Sequence, residues 1–218
     1  MCGIAGIAYF KKQKTVNTTE LKLMSTAIAH RGPDDEGIYI SSQKDVGLVN
    51  RRLAIIDLSA HGHQPMHYLN RYVISFNGEI YNFGEIRKNL QKLGYKFESF
   101  GDTEVIMALY DKYKSNCLKY LRGMFAIAIY DTKEETLFLA RDKIGKKPLK
   151  YILDDQKIVA RLGGVFTGIR VGPLLSALSR ITSSSYSFQP MTDSSISTSW
   201  TGLRLRPRAA SSRNSSML

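Results

Sequence analysis

The chain has 218 residues, 43% of them hydrophobic, a net charge of +12 and two cysteines, Cys2 and Cys117. That length and apolar content suit one domain, or a domain with a tail, and exclude a disulfide-stapled secreted scaffold. No basic-then-apolar leader is visible and no apolar run approaches the ~20 residues of a membrane span, so a soluble cytoplasmic protein without membrane partners is expected.

The elements follow in chain order. GIAGIAYF reads as a strand directly after Cys2. TTELKLMSTAIAH reads as a helix, with Thr18 or Thr19 as its cap and Leu21, Met24 and Ile28 on one face. GIYIS, VGLVN and LAIID read as short strands, a loop leads to Met66, and YVISFNG is a further strand. A helix is predicted over residues 83–93, ended by Gly94. Asp102 suits the cap of the next helix, whose Val105, Leu109 and Tyr113 lie one turn apart. In GMFAIAIYD, Met124, Ala126, Ala128 and Tyr130 take one face while Phe125, Ile127 and Ile129 take the other. A strand apolar on both faces must be covered on both, and ETLFLAR and LKYIL read the same way. The mixture predicts an α+β fold with sheets packed on each other and helices outside.

After residue 159 the chain changes character. Residues 1–159 carry 24 basic and 18 acidic side chains, whereas residues 160–218 carry 7 arginines, no lysine and the single acid Asp193. Half of the excess positive charge therefore comes from that last stretch, which also holds 14 serines. It shows no useful periodicity after about Leu178 and is expected to be disordered. The abrupt exchange of lysine for arginine and serine is what a shifted reading frame would produce. A natural low-complexity tail is the alternative.

Cys2 is the first residue with chemistry. Its short side chain allows removal of the initiator methionine, which would leave a free α-amine on Cys2 itself. An ordinary α-amine titrates at about 8 and an ordinary thiol at about 8.5, so such a pair can pass one proton between them near neutral pH. One residue then holds nucleophile and base. Gly3 is expected to let a substrate approach the backbone.

AHRGPDDEG, NRRLAIID, HQPM, NGEIYN, GDTEV, GMFAIAIYD and ARDKIGKKPL occur in that order. Together they resemble the class II glutamine amidotransferase domain, an amino-terminal nucleophile hydrolase, over about residues 2–152. HRGPD with NGEIYN is most similar to the glutaminase half of glutamine-hydrolysing asparagine synthetases. The resemblance implies a four-layer α/β/β/α sandwich over residues 2–159 that hydrolyses L-glutamine to L-glutamate and ammonia.

By the same resemblance, Cys2 attacks the side-chain amide, and the Asn77 side chain with the Gly78 backbone N–H holds the oxyanion. A tight turn with positive φ would explain the glycine at 78. Arg52 would take the α-carboxylate, with Leu53, Ala54, Ile55 and Ile56 forming the binding loop behind it. Arg51 is the neighbouring choice, and register favours Arg52. Glu79 and Asp102 would accept the α-ammonium. His61, His63 and His67 match a structural loop of the family, and no metal is expected. Lys146 and Lys147 read as a turn into a strand, and Cys117 as a packed thiol.

The family's ATP-dependent domain, with its Ser-Gly-Gly-rich loop, does not follow in this sequence. Glutamine hydrolysis itself implies no cofactor, and ATP and Mg²⁺ belong to that second domain. A homodimer or a synthetase partner stays open. Two rival readings also stand: an inactive remnant or regulatory module, and a nucleic-acid-binding protein acting through its basic tail, although no specific nucleic acid is implied.

Overall fold

A strand with apolar residues on both sides needs two covering layers, and β1 (Gly3–Tyr9) has them. Its Ala5 and Ile7 face a helix, while Ala8 faces a second sheet. The computed structural model describes residues 2–10, 14–55, 57–154, 156–162 and 202–205. β1 is the central strand of a five-stranded antiparallel sheet ordered β2 (Asp35–Ile40), β3 (Val46–Arg52), β1, β9 (Lys157–Leu162), β8 (Leu149–Leu153). A second antiparallel sheet runs β10 (Gly202–Leu205), β7 (Thr136–Arg141), β6 (Gly123–Asp131), β5 (Tyr72–Ile80), β4 (Met66–Tyr68).

Helix α1 (Thr18–Ala27) covers the first sheet through Leu21. Helices α2 (Phe83–Lys92) and α3 (Asp102–Tyr113) cover the second. Phe125, Ile127 and Ile129 of β6 point at these helices, whereas Ala128 and Tyr130 point between the sheets at Val46 and Leu48. The result is the four-layer α/β/β/α sandwich implied by the motifs. Among the described residues no helix is long and apolar enough to cross a membrane.

Several local expectations change. Asn17, not Thr18 or Thr19, caps α1, its side chain accepting the Thr19 N–H at 2.8 Å. Asp102 is the first residue inside α3 rather than its cap, which is Gly101. LAIID is not a strand: β3 ends at Arg52 and the chain leaves the sheet, because the Ala54 N–H is drawn to Asp34 at 2.8 Å. LKYIL is a strand, but as the sheet's edge it leaves Tyr151 and Ile152 exposed instead of covered on both faces. Gly94, with φ +91, ends α2 as expected. Of the stretch read as a tail, residues 160–162 complete β9 and Gly202–Leu205 pair with β7, while the rest lies outside the described residues.

Candidate active site

Pairing places the chemistry. Gly3 lies opposite Arg51 across β1 and β3, so Cys2 emerges beside the residues that follow β3. The Leu53 N–H lies 3.4 Å from the Cys2 sulfur, and the thiol reaches the Leu53 carbonyl at 3.8 Å. Arg31 Nε donates to the Cys2 carbonyl at 3.2 Å. Cys2 is thus fixed from both sides. Gly3 does not open the backbone to a ligand as expected: a Cβ there would sit 3.2 Å from Ile28 and Arg31, so the glycine fits a close approach inside the protein.

Cys2 lines a cavity of about 150 Å³ at the same end of the sandwich. Arg52, Leu53 and Ile55 line it from one side, and Asn77, Gly78, Glu79 and Asp102 from the other. Ala54 holds the loop through its bond to Asp34 and is not in the wall. Ile56 lies outside the described residues.

Asn77 stands inside β5 opposite Ala126 of β6 and is 1% exposed. Its side-chain Nδ2 has no hydrogen-bond partner among the described residues. A buried donor left unsatisfied costs about 1–3 kcal/mol, so it is an uncommon feature that calls for an explanation. The neighbouring strand residue is glycine for reasons of space. Gly78 does not have the positive φ expected of it; a Cβ there would meet the Met124 carbonyl oxygen at 2.2 Å and Phe125 Cα at 2.7 Å. Only glycine lets β5 lie this close to β6.

The two arginines part because strand side chains alternate. Arg51 turns towards α1, pairing with Glu36 at 3.2 Å and donating to the Ser25 carbonyl. Arg52 turns into the cavity wall, where it donates to the Asp57 and Ser59 carbonyls. Gly62 leaves the room its guanidinium occupies. Asp57 ties this loop together, accepting from the Ser59 N–H and hydroxyl and from the Phe100 N–H. Burial alone would raise its pKa, but those donors and Arg52 hold it below the ordinary carboxylate range.

Asp102, in the same cavity lining, is 5% exposed and accepts the Ile80 N–H at 2.9 Å. Burial, with the nearby Glu79 adding to it, raises its pKa to about 6 against the lowering effect of the backbone donors. One cavity therefore brings together a guanidinium, carboxylates, the Cys2 thiol and the Asn77 amide donor.

Lys147 is the site residue that sequence reasoning missed. It is 3% exposed and lines the cavity with Cys2. The GKKPL stretch is indeed a turn, with Gly145 at φ +68, but its second lysine enters the wall instead of facing solvent. The signal lay in a turn lysine next to proline and leucine. The other groups set aside behave differently. His63 pairs with Asp35 at 2.8 Å and His67 stacks edge-on to Tyr39. Cys117 is 1% exposed, and burial pushes its thiol pKa up to about 12.

Two facing antiparallel sheets between helical layers, with a cysteine at the head of the central strand, define an amidotransferase fold of the amino-terminal nucleophile type. The chain matches the glutamine amidotransferase domain model over residues 1–165 and belongs to that family. It is 43% identical over 176 residues to a putative glutamine-hydrolysing asparagine synthetase 2 of Methanocaldococcus jannaschii, covering 73% of this chain and 33% of that protein. It is also 43% identical over 162 residues to asparagine synthetase 1 of Bacillus subtilis, covering 72% and 25%. The chain thus spans a quarter to a third of the length of these relatives. The glutamine phosphoribosylpyrophosphate amidotransferase of B. subtilis, solved with ADP and GMP, shares the fold at a TM-score of 0.57 and 21% identity, over 73% of this chain and 41% of that one.

Proposed function

We propose that the cavity hydrolyses the side-chain amide of L-glutamine, giving L-glutamate and ammonia. The observation that carries this reading is the buried, unpartnered Nδ2 of Asn77 in the same cavity as the Cys2 sulfur. A donor without a partner in the resting protein is available to an oxyanion that forms only during reaction. Cys2 attacks the amide carbon, and Asn77 with the Gly78 N–H stabilises the charge on the former carbonyl oxygen. The α-amine of Cys2 carries the thiol proton to the leaving nitrogen, and ammonia departs. Water then cleaves the thioester, releasing glutamate and restoring the thiol.

The walls suit an α-amino acid. Arg52 offers a planar, charged donor to the α-carboxylate, while Glu79 and Asp102 offer acceptors to the α-ammonium. Leu53 and Ile55 flank the side-chain path. No cofactor is needed for these steps. The ammonia would pass to a synthetase partner or domain that uses ATP and Mg²⁺ to activate a carboxylate, as the asparagine synthetase relatives suggest.

The test is ammonia release from glutamine by the full chain, with intact mass confirming that Met1 has been removed. Cys2→Ala is expected to abolish release and Cys2→Ser to leave at most a trace, because a hydroxyl is far harder to deprotonate. Cys117→Ala is expected to keep turnover. An active Cys2→Ala protein would refute the assignment.

A further inference from the structure

We infer that Gln64 is a positioning residue acting through Asn77 and Gly78: its side-chain amide stands in for the strand that β5 lacks beyond Ile74. It thereby fixes the direction of the two oxyanion donors. The inference rests on the reading of those residues as the oxyanion site and adds the group that holds them.

β5 runs on past its outer neighbour. β4 pairs with it only opposite Tyr72–Ile74, whereas β5 continues to Ile80. Along an antiparallel strand, N–H groups face one side at every second residue. Phe76, Gly78 and Ile80 therefore present theirs to the same edge, where β4 no longer reaches. Phe76 is buried, and a buried N–H needs an acceptor.

Gln64, two residues before β4, supplies it. Its Oε1 accepts the Phe76 N–H at 2.7 Å and the Asn50 Nδ2 at 3.0 Å. Asn50 Nδ2 also reaches the Phe76 carbonyl at 3.4 Å. The two side chains thus take the N–H and C=O of Phe76, as a neighbouring strand would. The Gln64 Nε2 donates to the Thr103 hydroxyl at 3.3 Å, so the same amide ties β5 to the start of α3. Gly37 of β2 gives the Gln64 backbone room, since a Cβ there would overlap the Gln64 carbonyl.

The consequence falls on the next two residues. Gln64 takes the Phe76 N–H and Asp102 takes the Ile80 N–H, and the Gly78 N–H lies between them. Asn77 Nδ2 has no bond among the described residues to direct it, so its aim depends on the strand beneath it. β6 fixes that strand from one side, through Ala126 and Phe125, and Gln64 fixes it from the other. A neutral amide accepts and donates at once without placing a charge near Asp102.

The experiment reads ammonia release by the full chain in a double-mutant cycle of Gln64→Met and Asn77→Ala. Gln64→Met is expected to lower kcat about tenfold to a hundredfold, the scale of misplacing a donor by about 1 Å. KM is expected to stay within about threefold, because the oxyanion exists only in the transition state. In the Asn77→Ala background the kcat loss is expected to shrink at least about threefold, since one of the aimed donors is gone. Gln64→Glu keeps an oxygen for the Phe76 N–H and is expected to recover most of the loss. An equal kcat loss in both backgrounds, or none from Gln64→Met, would overturn the inference.

The Asn77 side-chain amide signal of isotope-labelled protein gives a second readout that needs no turnover. Gln64→Met is expected to shift or broaden it and to speed exchange of the Phe76 N–H; an unmoved signal overturns the inference. If that variant fails to fold, the wild type decides. Its Phe76 N–H should exchange as slowly as the β5 N–H groups that bond to β6, and fast exchange overturns the inference. A chain that gives the expected signals yet releases no ammonia would refute the proposed hydrolysis only.

Discussion

Replacing Asn77 with alanine separates catalysis from folding in one substitution. In most buried sites, deleting a polar side chain breaks a hydrogen bond and lowers stability. Here Nδ2 has no partner to lose among the described residues. Its burial costs about 1–3 kcal/mol, which the alanine relieves, while the hole left by an amide in a packed interior costs a comparable amount. The net stability change should stay within about 1 kcal/mol, a shift of roughly 2–4 °C in Tm for a chain of this size. Catalysis should respond very differently. One oxyanion donor is worth on the order of 10²–10³ in kcat, or about 2.7–4 kcal/mol, and KM should change little because the donor meets charge that exists only in the transition state. Steady-state ammonia release and a thermal melt on the same preparation check both numbers. A kcat loss below tenfold, or a Tm drop that tracks the activity loss, would refute the reasoning that the orphan donor awaits the reaction.

Arg52→Ala should raise KM for glutamine strongly, since a charge-assisted contact is worth roughly 1.5–3 kcal/mol; Arg51→Ala should mainly loosen α1 by removing the bond to the Ser25 carbonyl, and equal effects on KM would show the assignment to be wrong. Asp102, titrating at about 6, should lose its hold on the substrate ammonium as pH falls through that value, so KM rises there, and Asp102→Asn should abolish that step. The stability effect has the opposite sign: the folded carboxyl binds its proton more tightly than the unfolded one at about 3.9. Its contribution is therefore largest at low pH and is lost as pH rises through about 6, which pH-dependent denaturant midpoints of wild type and Asp102→Asn would reveal.

The sandwich was legible because its strands announce their burial. GMFAIAIYD carries apolar residues on both faces, and in the fold each face meets its own layer. LKYIL has a similar pattern but lies at an edge, a position that depends on strand order and leaves no local trace. LAIID has strand composition, yet bonds to Asp34 and Cys2 take its backbone out of the sheet. The motifs named Cys2, Arg52, Asn77, Gly78, Glu79 and Asp102, all of which line one cavity. They did not give the reason for Gly78, which is interstrand distance and not turn conformation. Lys147 escaped because GKKPL reads only as a turn into a strand, with no local mark of which lysine is buried; that depends on how Asp142, at the head of the turn, grips the Lys146 and Lys147 N–H groups.

β1 lies between β3 and β9, so the strand that follows Cys2 is enclosed by one neighbour made early and one made late. During synthesis, residues 46–52 can pair with β1 soon after they emerge, but Ile4–Tyr9 have no partner on the other side until residues 157–162 exist. At about 5–20 residues per second, the amino terminus spends many seconds at the rim of a half-built sheet. That interval suits an aminopeptidase acting on the nascent chain. The order of manufacture thus runs opposite to the order of assembly: Cys2 is among the first residues made, and its strand is among the last to be enclosed.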